Sequence, residues 1–431
     1  MIRRAARIIA AVDPQGPLRI RGRSPARACV FVFLLAFGVR WALLASPMVP
    51  LGYVMPETRS ELGRVARTLA LEGRYADPYL VPTGPTAHPV PLATGLLALI
   101  YRLFGLTLTA GFVRCFLCIA AYSAMYAMLP WVADRCGLGG TAGLLGGAAG
   151  ALYPLRSSGE ALGWSVAEPC AAILLGLTMG ALARRWSDPR PQLRAAFAVG
   201  VGFGVAFHFA PALLLVLLGY LGFELVWRRV GAAWRAVGVT VLGAALACAP
   251  WAWRNWSAFG ETFFIRSNFG LELRLANHGG ADADIEVLDA REGDAMRHPG
   301  CNREEAEKVR EWGEMEYMRR ARGEAFAWIG AHPGEFARLT AARFVHYWLG
   351  PVRRPLAAVP FSLVTVLALL GLRRAWRTLT VAQRALLLVP LATFPLVYYT
   401  VVYMANYPVP VAWILLILGG AEVRGWFARQ E

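Results

Sequence analysis

The sequence predicts an all-α polytopic membrane protein with about ten transmembrane helices and a mainly helical extracytoplasmic domain. Three observations predict it. Of 431 residues, 57% are hydrophobic and only 17% charged, where a soluble domain carries about 25%. Apolar runs recur from Ala28 to Val423, most of them about 17–25 residues long and so able to cross a hydrocarbon core of ~30 Å. Basic residues fill alternate gaps between those runs, as the positive-inside rule requires.

The elements follow in order. Residues 1–27 carry Arg3, Arg4, Arg7, Arg19, Arg21, Arg23 and Arg27 against Asp13, which makes them a cytoplasmic basic tail. A first span from about Cys29 to Pro47 is too long for a signal peptide and lacks a small-residue cleavage site. Further spans are expected near 107–131, 138–155, 166–183, 195–209, 211–227, 234–251, 355–372, 384–402 and 408–423. The predicted inside segments then hold Arg135; Arg184, Arg185, Arg190 and Arg194; Arg228, Arg229 and Arg235; Arg373, Arg374, Arg377 and Arg384; and Arg424 and Arg429. Both termini come out cytoplasmic, as in a multi-pass protein of a bacterial inner membrane. The run Pro91–Leu106 is short for a crossing, and counting it would invert every later loop. It is read as a helix on the outer surface.

The expected organisation is therefore a tail 1–27, a transmembrane region 28–253 with a first outer loop 52–106, an extracytoplasmic domain 254–350 and a second transmembrane region 351–431. The outer domain holds 16 of the 28 acidic residues. A helix is expected over Asn302–Ile329, with Asn302 and Glu305 as a capping box, and a second over Glu335–Trp348 after the His332-Pro333-Gly334 break. The net charge of +16 follows from topology, so nucleic acid is not the expected partner; membrane lipid is. Of the seven cysteines, Cys29, Cys115, Cys118, Cys170 and Cys248 lie in or beside apolar runs, where cysteine packs as a small hydrophobe. Cys301 is the single cysteine of the outer domain, which excludes a disulfide within it.

The chemistry-bearing residues gather in the outer loops. Pro56 suits the first turn of a helix, which would place Glu57 and Glu61 four apart on one face. A carboxylate half shielded at the membrane boundary can act as a general base. Arg59, Arg64 and Arg67 stand nearby to hold an anion; the same spacing also fits a plain solvated amphipathic helix. His88 lies in a Pro- and Gly-rich path (Thr83–Leu92) and is a candidate for substrate contact, or a bland surface histidine. Arg114 is charged inside a span, which calls for a partner, a ligand or a snorkelling side chain. Arg254 and Arg266 run against the positive-inside trend and point to an anionic ligand such as a lipid phosphate, or to simple surface charge. No cluster of His, Asp and Glu has ligand spacing, so no cofactor is assigned and a divalent cation stays open.

The Glu57–Glu61 segment, the Thr83–Leu92 turn with its helix ending Leu103-Phe104-Gly105, and Trp253-Arg254-Asn255 with Arg266–Leu273 resemble the C-type-fold bacterial membrane glycosyltransferases. That superfamily includes protein mannosyltransferases and aminoarabinose transferases. The resemblance implies a polyprenyl-phosphate-sugar donor, a lipid, glycan or protein acceptor, and transfer at the outer face. It implies that Glu61, then Glu57, is the base, and that Arg59, Arg64, Arg254 and Arg266 hold the phosphate, with His88 and Arg114 as further substrate contacts. Ala405-Asn406-Tyr407-Pro408 departs from the Arg-Tyr-Arg frequent in that family. The rival expectations are a transporter or flippase of lipid-linked glycans, which would show related halves, and an inactive scaffold.

Overall fold

The computed structural model describes residues 25–47, 49, 51–152, 165–188, 192–228 and 231–427. The expected basic tail lies outside them except for Pro25–Arg27, and so do Arg190, Arg229 and Arg429. Among the described residues there are helices, turns and two isolated β-bridges, and no strand. The all-helical expectation holds.

Helices are labelled here in chain order. The membrane region begins with α1 (Pro25–Leu44), then α4 (Leu108–Ala127), α5 (Leu129–Arg135), α6 (Gly140–Leu152), α7 (Ala167–Ser187), α8 (Leu193–Phe207), α9 (Leu213–Arg228) and α10 (Gly231–Phe259). It resumes with α16 (Pro355–Ala375), α17 (Val381–Thr393) and α18 (Val409–Phe427). Among the described residues, seven helical segments are long and apolar enough to cross a bilayer: α1, α4 with α5, α7, α10, α16, α17 with the 3-10 turn after it, and α18. Shorter apolar helices α6, α8 and α9 fall on the other three predicted spans. Pro91–Phe104 forms α3, also short. This is a polytopic membrane protein.

The bundle packs by close helix approach, the usual device where lipid supplies no hydrophobic drive between helices. Helix α18 lies against α6, α7 and α16 and is buried from Pro410 to Ala421. A Cβ on Gly420 would overlap the Ala142 carbonyl, and one on Gly371 the Leu418 carbonyl. Two arginines counted with the inside loops pair with carboxylates of neighbouring helices. Arg185 pairs with Glu224, which also accepts a hydrogen bond from Trp186 Nε1 at 3.2 Å. Arg374 makes a two-pronged contact with Glu422 at 2.7 Å on each arm. Both carboxylates sit in apolar stretches and are compensated by an arginine and a tryptophan, which an uncompensated charge there would need.

The outer-loop helices are α2 (Glu61–Glu72) and α3; the 254–350 segment adds α11 (Phe269–Ala276), α12 (Ile285–Glu292), α13 (Arg303–Trp312), α14 (Glu314–Ala331) and α15 (Pro333–Leu349). The two outer pieces form one body. Tyr79 and Val81 of the first loop pack with Leu271, Val309, Tyr317 and Met318 of the second, and Leu80 N donates to the Pro299 carbonyl at 3.3 Å.

Three local expectations are corrected. The helix expected from Pro56 begins at Glu61, because Ser60 is the N-cap and accepts from Gly63 N. Glu57 therefore lies outside the helix and shares no face of it with Glu61. The helix expected over Asn302–Ile329 breaks at Gly313, whose φ of 80° is left-handed and suits glycine. Asn302 does cap it, accepting from Glu305 N at 3.2 Å. The Glu305 side chain does not complete a box; it binds Lys308, Tyr317 and Arg274.

Candidate active site

Glu61 owes its position to the Ser60 cap, which starts α2 with this carboxylate in its first turn. Glu57 Oε1 instead accepts from Arg59 N at 2.8 Å and Ser60 N at 3.0 Å, so it braces the turn before the helix. The next loop is fixed by Asp77, itself left-handed at φ 62°. Its Oδ1 accepts from Thr83 N and Gly84 N at 2.9 and 2.8 Å.

His88 is placed by a hub on α14. Glu314 Oε1 accepts from Ala87 N at 2.8 Å and from Ser267 Oγ at 2.6 Å, and Oε2 accepts from Thr86 Oγ1 at 2.5 Å. Thr86 Oγ1 in turn accepts from His88 N at 3.0 Å. Arg266 Nε donates to the His88 carbonyl. Arg254 donates to the carbonyls of Thr86 and Tyr75 at 2.7 and 2.8 Å. One buried carboxylate thus ties the His88 loop to the 254–350 segment; burial raises its pKa, opposed by the Ala87 N–H and by the Ser267 and Thr86 hydroxyls.

His298 arrives from the other side. Arg274 Nη2 donates to the Arg297 carbonyl at 2.9 Å, and Gly300 N donates to His298 Nδ1 at 3.0 Å. Glu61, His88 and His298 then converge, with one ligand-capable atom from each within 4.8 Å of the others. His298 Nδ1 is 3.7 Å from Glu61 Oε1. Tyr79 Oη is hydrogen-bonded to His88 Nδ1 at 3.0 Å. Burial, with Arg266 and His298 adding to it, holds the His88 pKa well below the ordinary value, so the ring is neutral and keeps a lone pair. A Cβ on Gly300 would overlap Glu61 Oε1 and stand 2.9 Å from His298 Nδ1. The lack of a side chain at Gly300 lets Glu61 and His298 come close to the backbone there. Absence of a cluster at sequence spacing did not mean absence in space.

These groups stand at the mouth of a cavity of about 820 Å³ that continues between the membrane helices. Its polar end has Glu57, Glu61, His88, His298, Arg266 and Glu272; its inner end has Tyr122, Met125, Tyr126, Phe361, Trp413 and Leu416. Between them Asn406 Nδ2 donates to Glu168 Oε1 at 2.7 Å.

Of the expected site residues, the structure brings Glu61, Glu57, His88 and Arg266 together around this space. Arg59 is exposed. Arg64 donates to the carbonyls of Pro78 and Gly300, each at 3.3 Å, and Arg254 is spent on the loop carbonyls above. Arg114 lies buried beside a small separate pocket and donates to the Tyr53 carbonyl. Sequence reasoning missed His298 and Arg40. His298 carried only a His-Pro-Gly turn as a signal, and Arg40 an arginine inside the first apolar run.

Among solved structures, this architecture is similar to that of the Archaeoglobus fulgidus oligosaccharyltransferase, crystallised with Zn and sulfate. The TM-score is 0.51 at 15% identity, over 94% of this chain and 49% of that one. The chain thus spans about half the length of that protein. ArnT from Cupriavidus metallidurans, bound to undecaprenyl phosphate, aligns over 91% of this chain and 77% of its own at 14% identity and a TM-score of 0.40. No family model matches the chain, and no curated protein does. The likeness to the oligosaccharyltransferase is one of fold.

Proposed function

We propose that the chain is an outer-face glycosyltransferase that moves a sugar from a polyprenyl-phosphate donor to an envelope acceptor. The observation that carries this reading is a cavity in which carboxylates, two histidines and an arginine open onto an apolar interior. A lipid-linked sugar has that same division, with a charged, hydroxylated head and a hydrocarbon tail. Proposed with it are a bacterial inner-membrane location and cytoplasmic termini, which follow from the loop charges.

Glu61 is the base. It takes the proton of an acceptor hydroxyl as the acceptor oxygen bonds to the anomeric carbon and the carbon–oxygen bond to phosphate breaks. The electron pair of that bond leaves with the phosphate. Arg266 stabilises the charge there: its Nε is anchored on the His88 carbonyl, and the guanidinium lines the cavity. Preorganised charge of this kind is worth most where water is excluded. Glu57, with one oxygen committed to the turn, shapes the pocket next to the base.

A second reading of the same residues is favoured by the three ligand-capable atoms that lie within 4.8 Å of one another. Glu61, neutral His88 and His298 suit a divalent cation such as zinc, the ion named for the oligosaccharyltransferase structure. When bound, such an ion supplies Lewis-acid stabilisation of the departing phosphate. Tyr79 would orient the His88 ring from its other side, and Arg64 would hold the Gly300 backbone.

The test compares lipid-linked sugars and envelope glycans in cells lacking the protein and in cells complemented with wild type or Glu61→Gln. A glycan restored by wild type alone supports Glu61 as base. Full restoration by Glu61→Gln at normal membrane levels removes it from the chemistry. Zinc titration of the purified chain addresses the second reading, and unchanged affinity in His298→Ala sinks it.

A further inference from the structure

Arg40 belongs to the first membrane helix and no step above uses it. It is 1% exposed, and it lines the inner part of the cavity beside Tyr122 and Tyr126. Its contacts, which include a hydrogen bond to the Tyr126 side chain, are all with neutral groups among the described residues. Nη1 reaches the Ala36 and Ala151 carbonyls and Nη2 the Gly150 carbonyl, all at 3.3 Å. Nε has no partner. The guanidinium carbon lies 4.9 Å from the Tyr126 ring centre. Among the described residues no carboxylate pairs with it, whereas the equally buried Arg185 has Glu224.

A guanidinium in an apolar region without a counter-ion is costly. The same low dielectric lets it attract an anion across several ångströms. Arg266 already provides a cation at the mouth of the cavity, next to the reacting groups. The two arginines meet different neighbours: Arg266 stands on the His88 carbonyl of the outer loop, and Arg40 on the end of α6. The cavity therefore offers cations in two separate surroundings, one among the outer loops and one between the membrane helices.

We infer that Arg40 forms a second anion subsite, which holds the phosphate head group of a lipid bound at the same time as the donor. The inference rests on the glycosyltransferase reading and narrows it. The acceptor is then a phosphate-bearing lipid rather than a protein. Tyr122 and Tyr126 line the subsite, and their hydroxyls are suited to donate to phosphate oxygens.

The full chain in phosphatidylcholine nanodiscs tests this, with graded phosphatidic acid as the probe because its head is a bare phosphate monoester. Bound phosphatidic acid is counted by native mass spectrometry, and the melting temperature is followed in parallel. Wild type is expected to retain two molecules. Arg40→Gln should lose one of them, with affinity reduced about tenfold or more, as for a lost charge-assisted contact. Arg266→Gln should lose the other. One molecule on wild type overturns the inference whether or not the variant folds. Two on Arg40→Gln overturns it and leaves the Arg266 reading intact. Two on Arg266→Gln, with one on Arg40→Gln, removes Arg266 as a phosphate group and leaves the Arg40 subsite standing. Sodium phosphate at matched ionic strength is the control for free phosphate: displacement of the Arg40-dependent molecule at equal concentration overturns the lipid assignment. A purely structural Arg40 predicts a lower melting temperature for Arg40→Gln with an unchanged shift on adding phosphatidic acid, and that pattern also overturns it.

Discussion

Replacing Glu314 is the sharpest check on how the site is held. Three donors converge on this buried carboxylate: the Ala87 N–H, the Ser267 hydroxyl and the Thr86 hydroxyl. In Glu314→Ala the backbone N–H cannot turn away, and its loss of a partner costs about 1–3 kcal/mol. The two hydroxyls can rotate, so each forfeits nearer the ~1 kcal/mol of an ordinary bond. The expected loss is about 3–5 kcal/mol in the free energy of opening the outer domain from the first loop. Glu314→Gln keeps one acceptor oxygen for Ala87 and Ser267 and sets an amide against Thr86, so it should cost about 1 kcal/mol. Pulse proteolysis in urea on the detergent-solubilised chain reads both, through cleavage in the 73–90 loop. If the alanine variant opens within about 0.5 kcal/mol of wild type, the ordinary scatter of surface substitutions, the hub does not carry the loop. Equal effects of alanine and glutamine would refute the count of donors.

Three further outcomes are expected. Gly300→Ala places a methyl against Glu61 Oε1 and His298 Nδ1, so zinc affinity should fall about tenfold, the scale of a disturbed ligand shell, while the melting temperature stays close to wild type. Arg59→Ala, at an exposed position, should leave stability within about 0.5 kcal/mol and sugar transfer unchanged, whereas Arg266→Gln should lower transfer about 100-fold. For Glu305, burial alone would raise the pKa, but hydrogen bonds from Lys308 and Tyr317 and the Arg274 guanidinium outweigh it and bring it from 4.5 to about 2. Its folded pKa lies below the unfolded one, so the stabilisation, about 3 kcal/mol at most, is present above pH 4.5 and is lost as pH falls toward 2. Proteolysis of the outer domain between pH 6 and pH 3 should show that loss in wild type and a flatter profile in Glu305→Gln.

The helices were legible because lipid forces a simple rule on the backbone, and apolar length follows directly from it. All ten predicted spans are helical in the described residues, although only seven reach crossing length. The breaks at Ser60 and Gly313 were harder to see. Good helix formers flank both, and only cap geometry decides where a helix starts. Glu61 and His88 were visible as polar residues in a rigid loop. His298 was not, since 237 residues separate it from Glu61 and no spacing rule reaches across a fold. Arg40 was hidden by its neighbours, because hydropathy averages a lone charge into the run that surrounds it. Arg64 and Arg254 look like ligand arginines by type and here donate to backbone carbonyls, a contact that composition cannot reveal.

The central place of α18 has a consequence for how the protein comes to be made. A ribosome delivers this helix after every other helix described here, yet it is the one that α6, α7 and α16 surround, and it supplies Trp413 and Leu416 to the cavity wall. Until it arrives, the earlier spans have a gap where their close-packing partner belongs. Insertion into the membrane and completion of the bundle are therefore separate events, and quality control has a window between them. A chain cut short before Val409 would keep Glu61, His88, His298 and Arg266 and still lack the surface against which its membrane half closes.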